Sequence, residues 1–242
     1  TEMANWGSYD HWDWGFARYT VDPDWHVPHF EKMLYDNGQL VSLYSKGYQL
    51  TQKELFKNRI IETLDFVERE WTDKSGGIYS SYDADSENEF GHKEEGAFYI
   101  WKKSEVESIL KLSNKFNAFC DYYDITDKGN WENDYSIPRV RKDLSKVAMS
   151  FKIPENELKE YIDKSILKLR AARSDRKLPG LDDKILTSWN ALMLQGYIDA
   201  YRALGNDVYK NRALAIGVFM RGNMIQPDYR LFRNHKDGKS VI

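Results

Sequence analysis

The sequence predicts an all-α fold of repeated αα-hairpins, with β-hairpin insertions between the helix pairs. Three observations predict it. Apolar residues recur at helical spacing in several segments that close at glycine, proline or capping residues. Shifted by about 153 residues, the chain partly superimposes on itself. Asn37 falls on Asn190, Tyr44 on Tyr197, Tyr48 on Tyr201, and Lys57-Asn58-Arg59 on Lys210-Asn211-Arg212. Finally, one αα-hairpin cannot bury both its faces, so repeated hairpins stack as an open solenoid or close into a ring. The intervening hairpins and long loops suit a ring with decorated ends.

Taken in order, residues 1–24 hold Gly7, Gly15, Asp10 and Asp13 among many aromatics and predict a packed loop ending at Arg18-Tyr19. The spacing of Phe30, Met33, Leu34, Asn37, Leu40, Val41, Tyr44 and Tyr48 predicts a helix from Pro28 to about Tyr48, with Asp24 as a candidate cap. Thr51 and Glu54 predict a capping box for a second helix with a stripe of Leu55, Ile60, Leu64, Val67 and Trp71. Ile78–Tyr82 and 97–101 read as a hairpin around a long acidic loop. Ser104 opens a short helix through Leu112, 114–123 reads as another, and 124–142 shows no clear period. Pro154 opens a helix to about Arg173. Asp182 or Asp183 caps a helix closed by Gly205, and another runs from Asp207 to about Met224. Asp237-Gly238 marks a final hairpin turn.

Composition narrows the function classes. The chain has 242 residues, 30% of them charged, and a net charge of −3, so neither a nucleic-acid surface nor an acidic tail is expected. No apolar run approaches a membrane span and no signal peptide is present, so no membrane partner is expected. Cys120 is the single cysteine, which precludes an internal disulfide framework and fits a reducing, cytoplasmic setting. Eight Trp and sixteen Tyr suit stacking of flat ligands or a large aromatic core. The chain opens at Thr1 without a methionine and stops at Ile242 in an apparent strand, and is expected to be a fragment of a longer one.

Three long stretches carry a family resemblance: GFARYTVDPDWHVPHFEKMLYDNGQL, SSYDADSE with EEGAFYIW, and LRAARSDRKLPGLDDKILTSWNALM. They resemble a widespread family of thioredoxin-domain-containing proteins, whose mammalian members are called spermatogenesis-associated proteins. The resemblance implies a single toroid-type domain over 1–242, part of an (α/α)6 toroid similar to N-acylglucosamine 2-epimerase and the six-hairpin glycosidases. It also implies a thioredoxin-like domain elsewhere in the full-length chain. Asp13-Trp14 stand where relatives usually carry glycines.

The candidate sites follow. His26-x-x-His29-x-Glu31 lies at the expected mouth of the first helix. Histidine takes and gives protons near neutral pH, and the resemblance to toroid-type epimerases implies histidines as acid and base on a ring-opened sugar; His29 is the stronger candidate because it lies one residue inside the expected helix start. The alternative is that both histidines only bond loop backbone. A metal reading lacks a third nearby ligand, so no metal or cofactor is expected. Asp83 and Asp85, with Glu94-Glu95 on a facing strand, suit paired carboxylate chemistry, as in a glycosidase, or merely brace an acidic turn. Of Asp182 and Asp183, one is expected to cap and the other to be free for proton transfer. Arg18, Tyr19, Trp25, His26, Glu31, Asp36, Asn37, Trp189 and Asn190 are candidate substrate-binding residues. The expected function is a carbohydrate-active domain of epimerase or isomerase type acting on a sugar or sugar derivative. The rival is a non-catalytic module that presents a ligand or protein to a thioredoxin-like domain.

Overall fold

The structure is a computed structural model that describes all residues, Thr1–Ile242. Nine α-helices carry it: α1 Glu2–Asn5, α2 Leu34–Thr51, α3 Glu54–Phe66, α4 Lys103–Leu110, α5 Asn114–Tyr123, α6 Leu144–Ser150, α7 Glu155–Arg173, α8 Thr187–Leu204 and α9 Asp207–Asn223. Between them lie short strands: β1 Tyr19–Thr20, β2 Pro28–His29, β3 Lys32–Met33, β4 Ser81–Tyr82, β5 Asp85–Glu87, β6 Lys93–Glu95, β7 Trp101–Lys102, β8 Tyr135–Ser136, β9 Leu181–Asp182, β10 Ile185–Leu186, β11 Asn234–Lys236 and β12 Lys239–Val241. They pair into small two- and three-stranded sheets, so the all-α expectation holds for the helical frame but not for its connections. No helix is long and apolar enough to cross a membrane. The chain contacts itself as two compact units.

The first unit comprises Thr1–Asp13, Tyr19–Phe30 and Ala84–Pro179. Its core joins Trp12 and Trp101 to Phe116, Phe119 and Tyr123 of α5 and Leu158 and Leu169 of α7. A fully buried guanidinium, Arg173, sits beside it, 3.0 Å from Asp10 and 3.5 Å from Asp13, while Arg170 lies 2.9 Å from Asp13. A buried cation is tolerable only when paired in this way. Asp13 thus supplies part of the counter-charge.

The second unit comprises Trp14–Arg18, Glu31–Asp83 and Gly180–Ile242. Here α2 lies along α8. A Cβ on Gly38 would stand 2.9 Å from the Met193 amide nitrogen, and one on Gly196 would stand 2.9 Å from the Gly38 carbonyl oxygen, so only glycine permits this approach. The 153-residue sequence repeat is a structural repeat. Helices α2 and α8 span 18 residues each at that offset, and the bridge Thr72–Ile78 recurs as Ile225–Leu231. Buried Asn37 donates to the Phe16 and Met33 carbonyls and accepts from the Phe16 N–H. Buried Asn190 does the same to Ile78 and Leu186. Each amide clamps the N–H and C=O of one residue of the preceding loop to a helix start.

Several expected boundaries move, for one recurrent reason: strand pairing claims residues that local pattern assigns to helix. Helix α2 begins at Leu34 rather than Pro28. Pro28–His29 pairs with Thr20–Tyr19, and Lys32–Met33 pairs with Tyr82–Ser81. Asp24 does not cap it; Asp22 instead accepts the N–H groups of Asp24, His26 and Val27. Nor do Asp182 or Asp183 cap α8, because Leu181–Asp182 pairs with β4 and Leu186 is the N-cap. Thr51 closes α2, donating to the Gly47 carbonyl, instead of opening a capping box. Residues 78–82 and 97–101 do not pair with each other; the hairpin is β5–β6, and Trp101–Lys102 pairs with β8. Helix α6 lies where no helix was expected. The last hairpin matches expectation, with Asp237 and Gly238 at φ 51° and 73°.

Candidate functional site

In the second unit, Trp14–Arg18 is held over the start of α2. The Lys32 ammonium, almost fully buried, donates to the Trp14 carbonyl at 2.6 Å and lies 4.5 Å from the Phe66 ring centre. Asn37 grips Phe16 as described. Arg18 N–H then donates to the Glu31 carbonyl at 2.9 Å, and its guanidinium pairs with the Glu31 carboxylate at 3.4 Å. This sets the guanidinium 6.0 Å from the Tyr35 ring centre. Tyr35 meets Trp189 of α8 edge to face, with centroids 4.8 Å apart.

Beside this aromatic pair stands Asp36, in the first turn of α2. Burial pushes its carboxyl up to about 6; Arg18 and Tyr35 pull it back and Glu31 adds to the rise. Its Oδ2 is buried and accepts no hydrogen bond. A carboxyl poised near neutrality, with one oxygen unused, is equipped to take and return a proton. Burial and the neighbouring Asp36 raise the Tyr35 phenol too, keeping it a donor at neutral pH.

The structure therefore brings together Arg18, Glu31, Asp36 and Trp189 from the candidate set. Tyr35 and Lys32 were not among the candidates. Tyr35 had a usable signal, an aromatic beside an acidic residue in a first helical turn, whereas nothing local marks Lys32 as a buried tether. Asn37 and Asn190 are corrected from substrate binding to structure, since both are fully buried and their amides are spent on backbone. Asp83 N–H donates to the Gly180 carbonyl beside β9. Asp182 pairs with Lys184 at 3.2 Å and Asp183 with Lys236 at 2.5 Å, both on exposed side chains.

The remaining candidates lie in the first unit. His29 is in β2, not inside a helix. Its Nδ1 donates to Glu95 Oε1 at 2.8 Å and its ring stacks on Tyr19 at 5.0 Å. Glu95, one of the carboxylates expected on the strand facing Asp85, stands opposite it across β5–β6. Asp85 and Asp83 thus fall in different units. His26 bonds the Asn130 carbonyl at 2.7 Å and burial lowers its pKa, the backbone-bonding alternative foreseen for it. Trp25 sits at φ 60° in the loop between β1 and β2 and is 39% exposed. No three His, Cys, Asp or Glu side chains are grouped to hold a metal.

No protein-family model matches the chain. It is similar to Spermatogenesis-associated protein 20 of Homo sapiens, at 35% identity over 240 residues. That alignment covers 92% of this chain and 30% of the relative. The Mus musculus protein of the same name is 32% identical, with the same coverage. An uncharacterized protein of Caenorhabditis elegans is 37% identical over 230 residues, covering 87% of this chain and 31% of the relative. The chain thus spans about a third of the length of the curated relatives it matches. Among solved structures, a D-mannose isomerase aligns at TM-score 0.30 and 11% identity, covering 94% of this chain and 51% of that one. A cellobiose 2-epimerase from Spirochaeta thermophila aligns at TM-score 0.30 and 14% identity, covering 97% and 70%. Likeness at that level carries no argument about fold or reaction.

Proposed function

We propose that this chain carries an acid–base site for a sugar or sugar derivative at the start of α2, of epimerase or isomerase type, with Asp36 as the proton-transfer group. The observation that supports this reading is the half-buried Asp36 carboxyl, raised to about 6 and with one oxygen unpartnered. At pH 7 it is mostly the carboxylate and can remove the proton from a carbon next to the carbonyl of a ring-opened sugar. The electron pair moves onto the carbonyl oxygen, giving an enediolate, and the protonated carboxyl returns the proton to the former carbonyl carbon in an isomerisation, or to the original carbon after the enediolate has turned its other face in an epimerisation. In this reading Arg18 offsets the enediolate charge, and the Tyr35 hydroxyl donates to the same oxygen. Tyr35 and Trp189 offer apolar ring surface with polar tips, the combination that grips a sugar face.

His29, oriented by Glu95 and stacked on Tyr19, is a second acid–base candidate on the same chemical grounds. The wider setting is also proposed: a part of an (α/α)6 toroid, in a protein of the spermatogenesis-associated family that adds a thioredoxin-like domain.

The test is deuterium incorporation. Aldoses and ketoses are incubated with the chain in D2O and followed by NMR. Exchange at the carbon next to the carbonyl, lost in Asp36→Asn with the fold intact, is the expected outcome. Exchange unaffected by Asp36→Asn but lost in His29→Ala moves the chemistry to the first unit. No exchange and no sugar-induced thermal shift leaves the binding-module reading.

A further inference from the structure

Two loops of the second unit are built alike, and they differ at one residue. Phe16 and Ile78 are held by Asn37 and Asn190, each near the start of a repeat helix. The residues before them, Gly15 and Gly77, each lie against a phenylalanine ring. A Cβ would stand 2.8 Å from Phe66 of α3 on Gly15, and 2.9 Å from Phe219 of α9 on Gly77. One residue earlier, each backbone carbonyl accepts from a side-chain cation. The Trp14 carbonyl meets the Lys32 ammonium at 2.6 Å, and the Gly76 carbonyl meets the Arg212 guanidinium at 3.0 Å. Trp14 and Gly76 thus hold the same place, and both are left-handed, at φ 74° and 97°.

Glycine takes that conformation without steric cost, whereas a bulky side chain is strained in it. The second loop shows that the frame is content with glycine. The first keeps a tryptophan there, and strain of this kind persists only where the surroundings enforce it. They do so here. The Trp14 ring lies 5.7 Å from the Arg69 guanidinium. Arg69 is fixed by Glu70 at 2.6 Å, and Glu70 accepts from the Tyr82 hydroxyl at 2.9 Å. Arg69 and Glu70 belong to a π-helical turn, Val67–Trp71, that follows α3. Such turns are rare and favour functional sites. Helix α9 ends without one.

Nor is the ring held in place to fill the core. Trp12, Trp71 and Trp101 are fully buried, while Trp14 is partly exposed. It heads the segment whose other end sets Arg18 beside Tyr35. Four residues of chain span at most about 14 Å, so a ligand lying along this segment meets both. A rigid, partly exposed indole is a platform for the C–H face of a sugar ring.

We propose that Trp14 is a substrate-binding residue of the site at the start of α2, where its indole stacks on the sugar. The inference rests on the sugar reading of that site and adds the residue that sets its affinity. It assigns Trp14 no part in proton transfer.

The experiment uses the full-length protein with glucose, mannose, N-acetylglucosamine and maltose. Kd is read by titration and KM by deuterium exchange. Trp14→Ala and Trp14→Gly are expected to raise both by about tenfold or more with kcat little changed, the mark of lost uniform binding. Trp14→Phe, which keeps a stacking face, recovers most of that loss. Stability supplies a second readout. Trp14→Gly is expected to melt about 2–4 °C above Trp14→Ala, the reverse of their order at an ordinary position. Unchanged Kd and KM in Trp14→Ala, with exchange intact in the wild type, overturn this inference alone. So does a loss that Trp14→Phe does not recover, or a Trp14→Gly that melts no higher than Trp14→Ala. A wild type that binds none of the four sugars overturns the inference together with the reading it rests on.

Discussion

The α2–α3 and α8–α9 hairpins are built on one frame and put to different uses. What they share is backbone geometry and one buried amide. What they do not share is chemistry. At the position after Tyr35 and Ser188, the first helix carries Asp36 and the second carries Trp189. One is a half-buried carboxyl near neutrality; the other is an aromatic that packs on Tyr35. Their outer faces differ as well, since Val41 is covered and Leu194 is half open. In a repeat protein, duplicated positions hold the frame, and the unduplicated positions beside them are free to bind and react.

The comparison breaks most sharply at the frame. Asn37→Leu and Asn190→Leu each leave the backbone N–H and C=O of one residue, Phe16 or Ile78, without their partners, and each is expected to cost about 2–5 kcal/mol in denaturant unfolding. If the frame is truly shared, the two costs agree within about 1 kcal/mol. A loss below that from either variant would mean its clamp is replaceable and the likeness superficial.

Asp36→Asn separates chemistry from frame through pH. The folded carboxyl is raised, so the folded state holds its proton more tightly than the unfolded chain. Native stability from this group is therefore greatest below the unfolded pKa, near 4, and falls as pH rises to about 6. Asp36→Asn should be nearly neutral at pH 4 and stabilising by up to about 3 kcal/mol at pH 8. A gain that is the same at both pH values would show that the carboxyl is not perturbed.

The outer faces supply the next contrast. Gly38→Ala forces its new methyl against the backbone of α8 and should cost about 1–3 kcal/mol. Ala191→Leu, at the equivalent position on the open face of the 242-residue chain, should stay within about 0.5 kcal/mol of wild type. Least of all, Lys184→Ala removes an exposed pairing with Asp182 and should change the melting midpoint by no more than about 0.5 kcal/mol in equivalent stability.

Much of this frame was legible beforehand, and the reasons are local. The stripe Leu34, Val41, Tyr44 repeats at helical period and made α2 readable. Gly205 and Asp237-Gly238 announce their own backbone, because glycine and aspartate accept left-handed conformations that most residues refuse. The site was legible only as a neighbourhood. Asp36 and Trp189 stood among the candidates, but His29 was given the leading role on the strength of a helix start that does not exist.

Sequence alone determined where helices could run, that they recur at a 153-residue offset, and which polar and aromatic residues cluster near their starts. These are consequences of periodicity and composition, which a chain carries without being folded. Tertiary structure alone decided that residues 28–33 are strand, because two-residue strands are held by partners at Tyr19 and Ser81 rather than by their own propensity. It also decided that Asn37 and Asn190 serve the backbone and that Asp36 titrates near 6. Burial sets both outcomes, joined for the asparagines by hydrogen bonds to distant backbone, and neither exists until the chain has closed on itself.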